Sequence, residues 1–573
     1  MSLITLTIDG IRVEAEPGAT VLEAAKKAGI RIPTLCYLEE INNIGACRIC
    51  LVEVQGARTL QASCVTPVSR DMVVRTNTPA VRQARKLNLE LIMSAHPQEC
   101  LTCPRSTNCE LQQLAAELGV SEMRFAGAMP PYEKDCSSKS LVRDPRKCIL
   151  CRRCVSVCEK VQQVSAIAPQ ERGFDTVVAP AFLEPLGDAA CVNCGQCALV
   201  CPTAAIHERD QTAAVWSALA DPAKHVVVQT APAVRVSIGE MFGLEPGSVA
   251  TGKLVAALKR LGFDKVFDTD FTADLTIMEE GSELLKRIKE GGQLPLITSC
   301  SPGWIKFMEH CYPHLLPHLS TCKSPQQMFG ALAKTYYAQQ AGIDPADIFV
   351  VSIMPCTAKK FEAGREEMNA SGFRDVDVVL TTRELGRMLK EAGIDFTVLP
   401  DEEYDHPLGI STGAGVIFGA TGGVMEAALR TAYELVTGKA LEALDFHAVR
   451  GLNGLKEASV DIEGTTLNVA VAHGLANARE ILERVSGGAQ YHFIEIMCCP
   501  GGCIGGGGQP IPTTGEIRAQ RAAGIYNADQ ALSLRKSHEN PAVQELYREF
   551  LGQPLGHKSH ELLHTHYVER GKY

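Results

Sequence analysis

The sequence predicts a multidomain chain of mixed α/β and α+β class, and three observations carry that reading. Its 573 residues suffice for about four domains at roughly 150 residues each. Of its 23 cysteines, 16 lie between Cys36 and Cys201, so the first third is built differently from the rest. Beyond about residue 210, apolar runs alternate with helical patterns, as parallel strands joined by helices do.

The elements follow in order. Residues 1–78 read as a small β-rich module: ITLTIDG alternates, Asp9-Gly10 marks a hairpin turn, and IRVEA returns as the second strand. TVLEAAKKAG is a short helix ending at Gly29, and LVEV and MVVRT are later strands. Residues 79–125 open with a helix from TPAVRQARKLNLELIMSA, with Pro79 in its first turn. Residues 126–210 hold two cysteine-rich segments separated by about thirty residues. From 211 to 573, HVVVQTA, LPLITS, IFVVSIM and VDVVLTT read as parallel strands and TGKLVAALKRLG as a helix, in two lobes.

Composition narrows the partners. Lys and Arg number 56 against 66 Asp and Glu, a net charge of −10 with no basic block, which argues against nucleic acid. The long uncharged stretch 407–425 contains six glycines and is no membrane helix, so membrane insertion is not expected. The opening MSLITLTIDG carries Asp9 and no Lys or Arg, unlike a secretory signal, and a cytoplasmic location is expected. A disulfide framework is one reading of so many cysteines, but it belongs to short secreted chains; tight Cys-x-x-Cys clusters favour metal.

Spacing sorts the metal sites. Cys36, Cys47, Cys50 and Cys64 follow C-x10-C-x2-C-x13-C, which suits a 2Fe–2S cluster in a β-grasp ferredoxin module, although the same ligands would satisfy structural zinc. His96, Cys100, Cys103 and Cys109 read H-x3-C-x2-C-x5-C. A lone histidine is usually a core or surface residue, but this one stands at a helix end just before a Cys-x-x-Cys. It is expected to join the three cysteines in ligating a 4Fe–4S cluster. An imidazole in place of a thiolate tends to raise the potential. Cys148, Cys151, Cys154 and Cys158, then Cys191, Cys194, Cys197 and Cys201, repeat C-x2-C-x2-C-x3-C, with Pro202 after the second run. In such two-cluster ferredoxin-like modules the fourth cysteine of each run serves the other cluster. One 4Fe–4S cluster therefore takes Cys148, Cys151, Cys154 and Cys201, and the other Cys158, Cys191, Cys194 and Cys197.

Cys300, Cys356 and Cys499 each follow an apolar run, at the carboxyl end of a strand where open α/β sheets build their sites. Cys503 lies in CCPGGCIGGGGQP, whose glycines let backbone approach a bulky ligand. Isolated cysteines of this kind are often buried packing residues, as Cys311 and Cys322 are expected to be; CCPGGC fits that reading poorly, and four convergent sulfurs would hold one more cluster.

TSCSPGW (298–304), MPCTAKKFE (354–362) and MCCPGGCIGGGGQP (497–510) resemble the three catalytic signatures of the FeFe-hydrogenases: TSCCPxW, MPCxxKxxE, and Met-Ala-Cys-x-x-Gly-Cys before a glycine run. The resemblance covers essentially the whole chain, including the four accessory clusters in order, and departs at Ser301 and Cys498. The segment HKSHELLHTHY is similar to catalytic subunits of hydrogenase assemblies that also contain NAD(P)-reactive flavin subunits.

The resemblance implies reversible oxidation of H2 to protons and electrons in a C-terminal two-lobed catalytic domain. It implies a 4Fe–4S cube joined through Cys503 to a two-iron centre that carries CO, cyanide and a dithiolate, with Cys356 and Cys499 as cube ligands. Lys359 matches the residue that hydrogen-bonds a cyanide, and Ala231, Pro232, Gln326, Met354 and Met497 match other pocket residues. Glu280, Glu283 and Arg287 share a helix face by their i, i+3, i+7 spacing, ordinarily a solvated face; together with Ser320 they match the family's proton route. Residue by residue, Ser301 occupies a cube-ligand position and Cys300 the proton-donor position. A serine oxygen is a hard ligand for an iron–sulfur cube, so a shifted loop is expected, with Cys300 on the cube and Ser301 as a weaker relay. The rivals are Ser301 as an oxygen ligand and Cys498 as the source of the missing thiolate.

The expected electron partners are ferredoxin or flavin- and NAD(P)-binding subunits, since no nucleotide-binding glycine motif is evident here, and maturation proteins would assemble the centre. Two alternatives share parts of this pattern: a non-catalytic electron-transfer subunit like the cluster-bearing subunit of respiratory complex I, and a hydrogen sensor. The strand-end cysteines disfavour the first and the lack of an appended sensory domain the second. The cofactor domains of a molybdenum formate dehydrogenase would not fit the remaining length.

Overall fold

The computed structural model describes residues 3–441, 444–462 and 465–571. Strand β1 (Ile4–Ile8) pairs antiparallel with β2 (Ile11–Ala15). Asp9 and Gly10 between them both take positive φ, 48° and 83°, the left-handed pair that a two-residue hairpin needs. Strands β3 (Leu51–Val54), β4 (Gln61–Ala62) and β5 (Val73–Arg75) complete a sheet of order β2-β1-β5-β3-β4. The helix Val21–Lys27 starts on a capping box between Thr20 and Glu23 and presses Val21, Leu22, Ala24 and Ala25 into that module's core. The helix Pro79–Ser94 follows, capped by Thr78, and ends just before His96.

Two short antiparallel pairs, β6 (Leu141–Arg143) with β9 (Ile206–Glu208) and β7 (Ala168–Gln170) with β8 (Val177–Ala179), frame the next module. Its sequence repeat is also a backbone repeat. Leu150 and Arg152 in the first cysteine run, and Asn193 and Gly195 at the matching places in the second, all have positive φ. Each run thus curls the same way and turns its sulfurs inward.

The C-terminal region contains two four-stranded sheets. Strands β10 (His225–Thr230), β11 (Lys265–Asp268), β13 (Ile348–Met354) and β14 (Val378–Thr381) form one in the order β11-β10-β13-β14, parallel throughout. Strands β12 (Leu296–Ile297), β15 (Leu455–Ile462), β16 (Thr465–His473) and β17 (Phe493–Met497) form the other, in the order β12-β17-β16-β15. Here the expectation of parallel strands fails at one edge, because β15 and β16 pair antiparallel. β15 alternates between buried and exposed residues, as a half-exposed edge strand does. LPLITS contributes only two strand residues, so Cys300 lies three residues past the strand end.

The helix Thr269–Glu290 joins the two lobes. Its Phe271 and Leu275 enter the core of the first sheet, whereas Ala273, Ile277 and Leu284 enter that of the second. Being buried on both sides, it can carry polar groups only where partners meet them. Among the described residues, no helix is long and apolar enough to cross a membrane.

Candidate active site and metal centres

The cysteine sets sorted by spacing meet in space. The Cys36 thiol is hydrogen-bonded by Cys47, and Cys50 Sγ lies 3.3 Å from Cys64 Sγ; these contacts pull the Cys36 and Cys50 thiols down to about 6. His96, Cys100, Cys103 and Cys109 line a cavity of about 270 Å³. Burial, aided by the charge of Lys147, pushes the His96 imidazole down to about 4, and its buried Nδ1 has no hydrogen-bond partner. A neutral imidazole with an unused nitrogen is what a metal ligand requires. Cys148, Cys151, Cys154 and Cys201 line a second cavity, and Cys158, Cys191, Cys194 and Cys197 a third.

No disulfide joins any of these cysteines. Burial pushes Cys148 up to about 11, and Cys151 and Cys158 up to about 12. Rings of buried thiols facing one another gain little from packing as they stand, but they match the soft donor set that iron–sulfur cores select. The residues present therefore fit the clusters.

Single side chains tie the modules together. Asn42 Nδ2 donates to the carbonyls of Cys36 (2.7 Å) and Cys151 (3.0 Å), and its Oδ1 accepts from Ser156 Oγ at 2.8 Å. Cys194 lines both its own ring and a cavity between the C-terminal lobes. Thr357 Oγ1 donates to Asn193 O at 2.7 Å and Gln196 Nε2 to Gly505 O at 2.9 Å, which holds that ring against the C-terminal lobes. Gly507 is needed at this seam, because a Cβ there would lie 2.2 Å from Cys194 O.

The C-terminal cavity, about 80 Å³, is several times what a single water needs (about 10–15 Å³). It opens at the carboxyl ends of β10, β12, β13 and β17. Ala231, Pro232, Gln326, Met354, Lys359 and Met497 line it together with Cys300, Ser301, Cys356, Cys498, Cys499 and Cys503. Burial pushes Cys503 up to about 12, with the Cys499 charge adding to it, and raises Cys356 further. Lys359 Nζ donates to Glu362 Oε2 at 2.9 Å and to Cys300 O at 3.1 Å. Glu362 Oε2 also accepts from Ser324 Oγ (2.9 Å) and Gln326 Nε2 (3.1 Å), while the buried Gln326 Oε1 has no partner. A fixed ammonium, an orphaned amide oxygen and a ring of soft sulfurs suit a metal centre that brings its own polar ligands.

Beside the cavity runs a buried polar file. Glu280 is 2% exposed and its Oε1 has no partner. Burial pushes its carboxyl up to about 8, with the charges of Glu283 and Glu495 adding to the effect. The Ser320 hydroxyl lies against Glu280 and donates to Glu283 Oε2 at 3.0 Å. Glu283 in turn pairs with Arg287 at 2.6 Å, and Arg287 also donates to Leu319 O at 2.9 Å. A solvated helix face is thereby excluded: both glutamates are buried. Cys322 is fully buried, as expected of a packing cysteine.

Two participants escaped the sequence reading. Glu362, the closing residue of MPCTAKKFE, was given no role there, yet it fixes Lys359 across their i, i+3 spacing on the helix Ala358–Ala363. Glu279, adjacent to Glu280, faces the other way and gathers Tyr547 OH, Ser559 Oγ, Leu555 N and His564, pinning the C-terminal segment to the lobe-joining helix. No local motif marked it.

Comparisons with known proteins agree with this geometry. Residues 224–507 match the C-terminal domain of the iron-only hydrogenase large subunit, and 515–570 match the iron hydrogenase small subunit. Residues 2–79 match a 2Fe–2S cluster-binding domain, 85–124 the iron–sulfur binding region of NADH-ubiquinone oxidoreductase-G, and 147–205 a 4Fe–4S dicluster domain. The chain is 54% identical to an NADP-reducing hydrogenase subunit of Solidesulfovibrio fructosivorans over 100% of both proteins. It is 43% identical to iron hydrogenase 1 of Clostridium pasteurianum over 98% of this chain and 99% of that one. A solved apo FeFe-hydrogenase variant from Chlamydomonas reinhardtii is 50% identical, with a TM-score of 0.56, over 62% of this chain and 99% of its own. The chain belongs to the FeFe-hydrogenases. Within that family it is a large, catalytic subunit that carries iron–sulfur domains of its own at the N-terminal side.

Proposed function

We propose that the chain reversibly oxidises H2 to protons and electrons at the cavity bounded by Cys356, Cys499 and Cys503, and delivers the electrons through its N-terminal modules to partner subunits. One observation carries this reading: the thiol-lined cavity meets Cys194 of an iron–sulfur ring on one wall and lies beside the buried file from Glu280 to Arg287. Electrons and protons thus have separate ways out.

Cys36, Cys47, Cys50 and Cys64 would hold the 2Fe–2S cluster, and His96, Cys100, Cys103 and Cys109 a 4Fe–4S cluster. The two interleaved rings of the dicluster module would hold one 4Fe–4S cluster each. Cys356, Cys499 and Cys503 would hold the active-site cube, and the same cavity would hold the two-iron centre beside it. The chemistry that centre supplies when bound is electron exchange with H2. The rest falls to the chain. Lys359, held by Glu362, offers a charged donor to an anionic ligand, and Met354, Met497, Ala231 and Pro232 keep water out of the cavity. Glu280 takes up a proton as a carboxylate and gives it up as an acid, which its elevated pKa allows near neutrality. Ser320 accepts that proton on its oxygen while releasing its own to Glu283, and Arg287 marks the way to solvent.

The partners fit the same reading. The similarity to an NADP-reducing hydrogenase subunit supports NADP-linked partner subunits as the acceptors; flavin-binding subunits, ferredoxin as a further acceptor, maturation proteins and a cytoplasmic location belong to this proposal. Isotope exchange tests the reading without any acceptor. The matured chain under H2 in deuterated buffer is expected to form HD; a fully iron-loaded chain that forms none contradicts the assignment.

A further inference from the structure

The two departures from the family's signatures meet at one corner of the cavity. At 301 a serine stands where the signature has cysteine, and at 498 a cysteine stands where it has alanine. One thiol is lost and one gained, and the residues touch: Cys498 N donates to Ser301 Oγ at 3.2 Å. The Cys498 sulfur lies against the sulfurs of Cys194 and Cys499, the second of these a cube ligand in the proposal above. Room for it exists because residue 303, at the start of the helix Pro302–Cys311, is glycine; a Cβ there would come within 2.7 Å of Cys498 Sγ.

Cys300 faces elsewhere. Its thiol feels the charges of Glu280, Lys359, Cys503 and Glu495, and Glu280 heads the proton file. The segment that would have to shift to bring its sulfur to the Ser301 corner is held at Thr298, Ser299 and Cys300. Thr298 N donates to Ile494 O at 3.0 Å, and Thr298 Oγ1 accepts from Ile496 N at 3.2 Å. Trp304 Nε1 donates to Thr298 O at 3.1 Å, Ser299 Oγ to Cys322 O at 2.7 Å, and Lys359 Nζ to Cys300 O at 3.1 Å. Shifting the loop forfeits these bonds at about 1 kcal/mol or more each, whereas Cys498 already stands at the corner.

We propose that Cys498 supplies the fourth thiolate of the active-site cube, that Ser301 is not a ligand, and that Cys300 keeps its thiol free to carry protons toward Glu280. This replaces the shifted loop expected from the sequence and rests on the cavity being the cube's site. Thiolate suits an iron–sulfur cube better than a serine oxygen, so the swap preserves a four-sulfur shell.

The test uses full chain produced anaerobically without maturation proteins, so that the cube is the only active-site metal, and reads iron content and electron paramagnetic resonance. Cys498→Ala is expected to lose about four irons and the cube signal while the accessory signals persist. Adding Ser301→Cys to that variant should restore both, and Cys300→Ala should keep both. Because alanine is the family's own residue at 498, and the accessory signals report folding, a loss in Cys498→Ala is read as loss of a ligand. A Cys498→Ala chain with its full cube signal, or a Cys300→Ala chain that loses it, overturns the proposal. Cys356→Ala separates this from the underlying reading: if the cube survives there, the cavity itself is misassigned.

Discussion

Ser320 Oγ donates to Glu283 Oε2 at 3.0 Å and lies against Glu280, so one hydroxyl spans two buried carboxyl groups. A hydroxyl can accept from one side while donating to the other, which neither carboxyl could do alone across that gap. Ser320→Ala is therefore expected to lower H2 turnover by about 100-fold with cluster spectra unchanged, and Ser320→Thr to restore much of it. Rates at saturating reductant, compared with the spectra of the same samples, check this.

Glu280→Gln should likewise retain every cluster and lose most turnover, since an amide relays no proton. It also has a signature that a structural role would not produce. The folded carboxyl titrates at about 8, well above the roughly 4.3 of an unfolded glutamate. The folded state therefore holds a proton that the unfolded state releases. Its contribution to stability is present in full below the unfolded value and is lost as pH rises through about 8. Thermal unfolding across pH 4–9 should fall less steeply with rising pH in Glu280→Gln than in the parent chain. Equal slopes would mean that Glu280 is already ionised.

Much of this was legible in the sequence. The hairpin at Asp9-Gly10, the helix at Pro79 and the grouping of the N-terminal cysteines and His96 around shared cavities follow from local spacing, because turn geometry and side-chain convergence of this kind are set by residues close along the chain. The interleaving of Cys201 and Cys158 also came from the repeat. What stayed hidden depends on distant segments: the antiparallel pairing of β15 with β16, Glu279 as the anchor of Tyr547 and His564, and the contact of Cys498 with Ser301. Whether the face of Glu280 and Glu283 meets water or a second lobe is a tertiary fact that helical spacing cannot supply.

Gly507→Ala should separate electron delivery from catalysis. Its new Cβ would sit 2.2 Å from Cys194 O, backbone against backbone, so the dicluster module must move away from the cavity. HD exchange, which needs no electron exit, is expected to persist while H2-driven dye reduction slows. Equal losses in both would show that the seam is not on the electron route.

Asn42→Ala tests the other junction. It removes bonds to Cys36 O and Cys151 O and strands Ser156 Oγ, all in a buried place. A loss of about 2 kcal/mol is expected, read as a lower melting temperature. The 2Fe–2S signal should remain, but H2 should reduce it more slowly. Unchanged reduction kinetics would count against electron passage across this contact.

The most direct measurement is the iron content and H2 turnover of full-length anaerobic protein produced with and without the maturation proteins. Roughly 20 irons are expected per matured chain, six of them at the active site. Without maturation, the accessory clusters and the cube should persist but H2 activity should be absent. Robust H2 turnover by unmatured protein, or a matured chain that lacks the active-site irons and still turns over H2, would contradict the assignment.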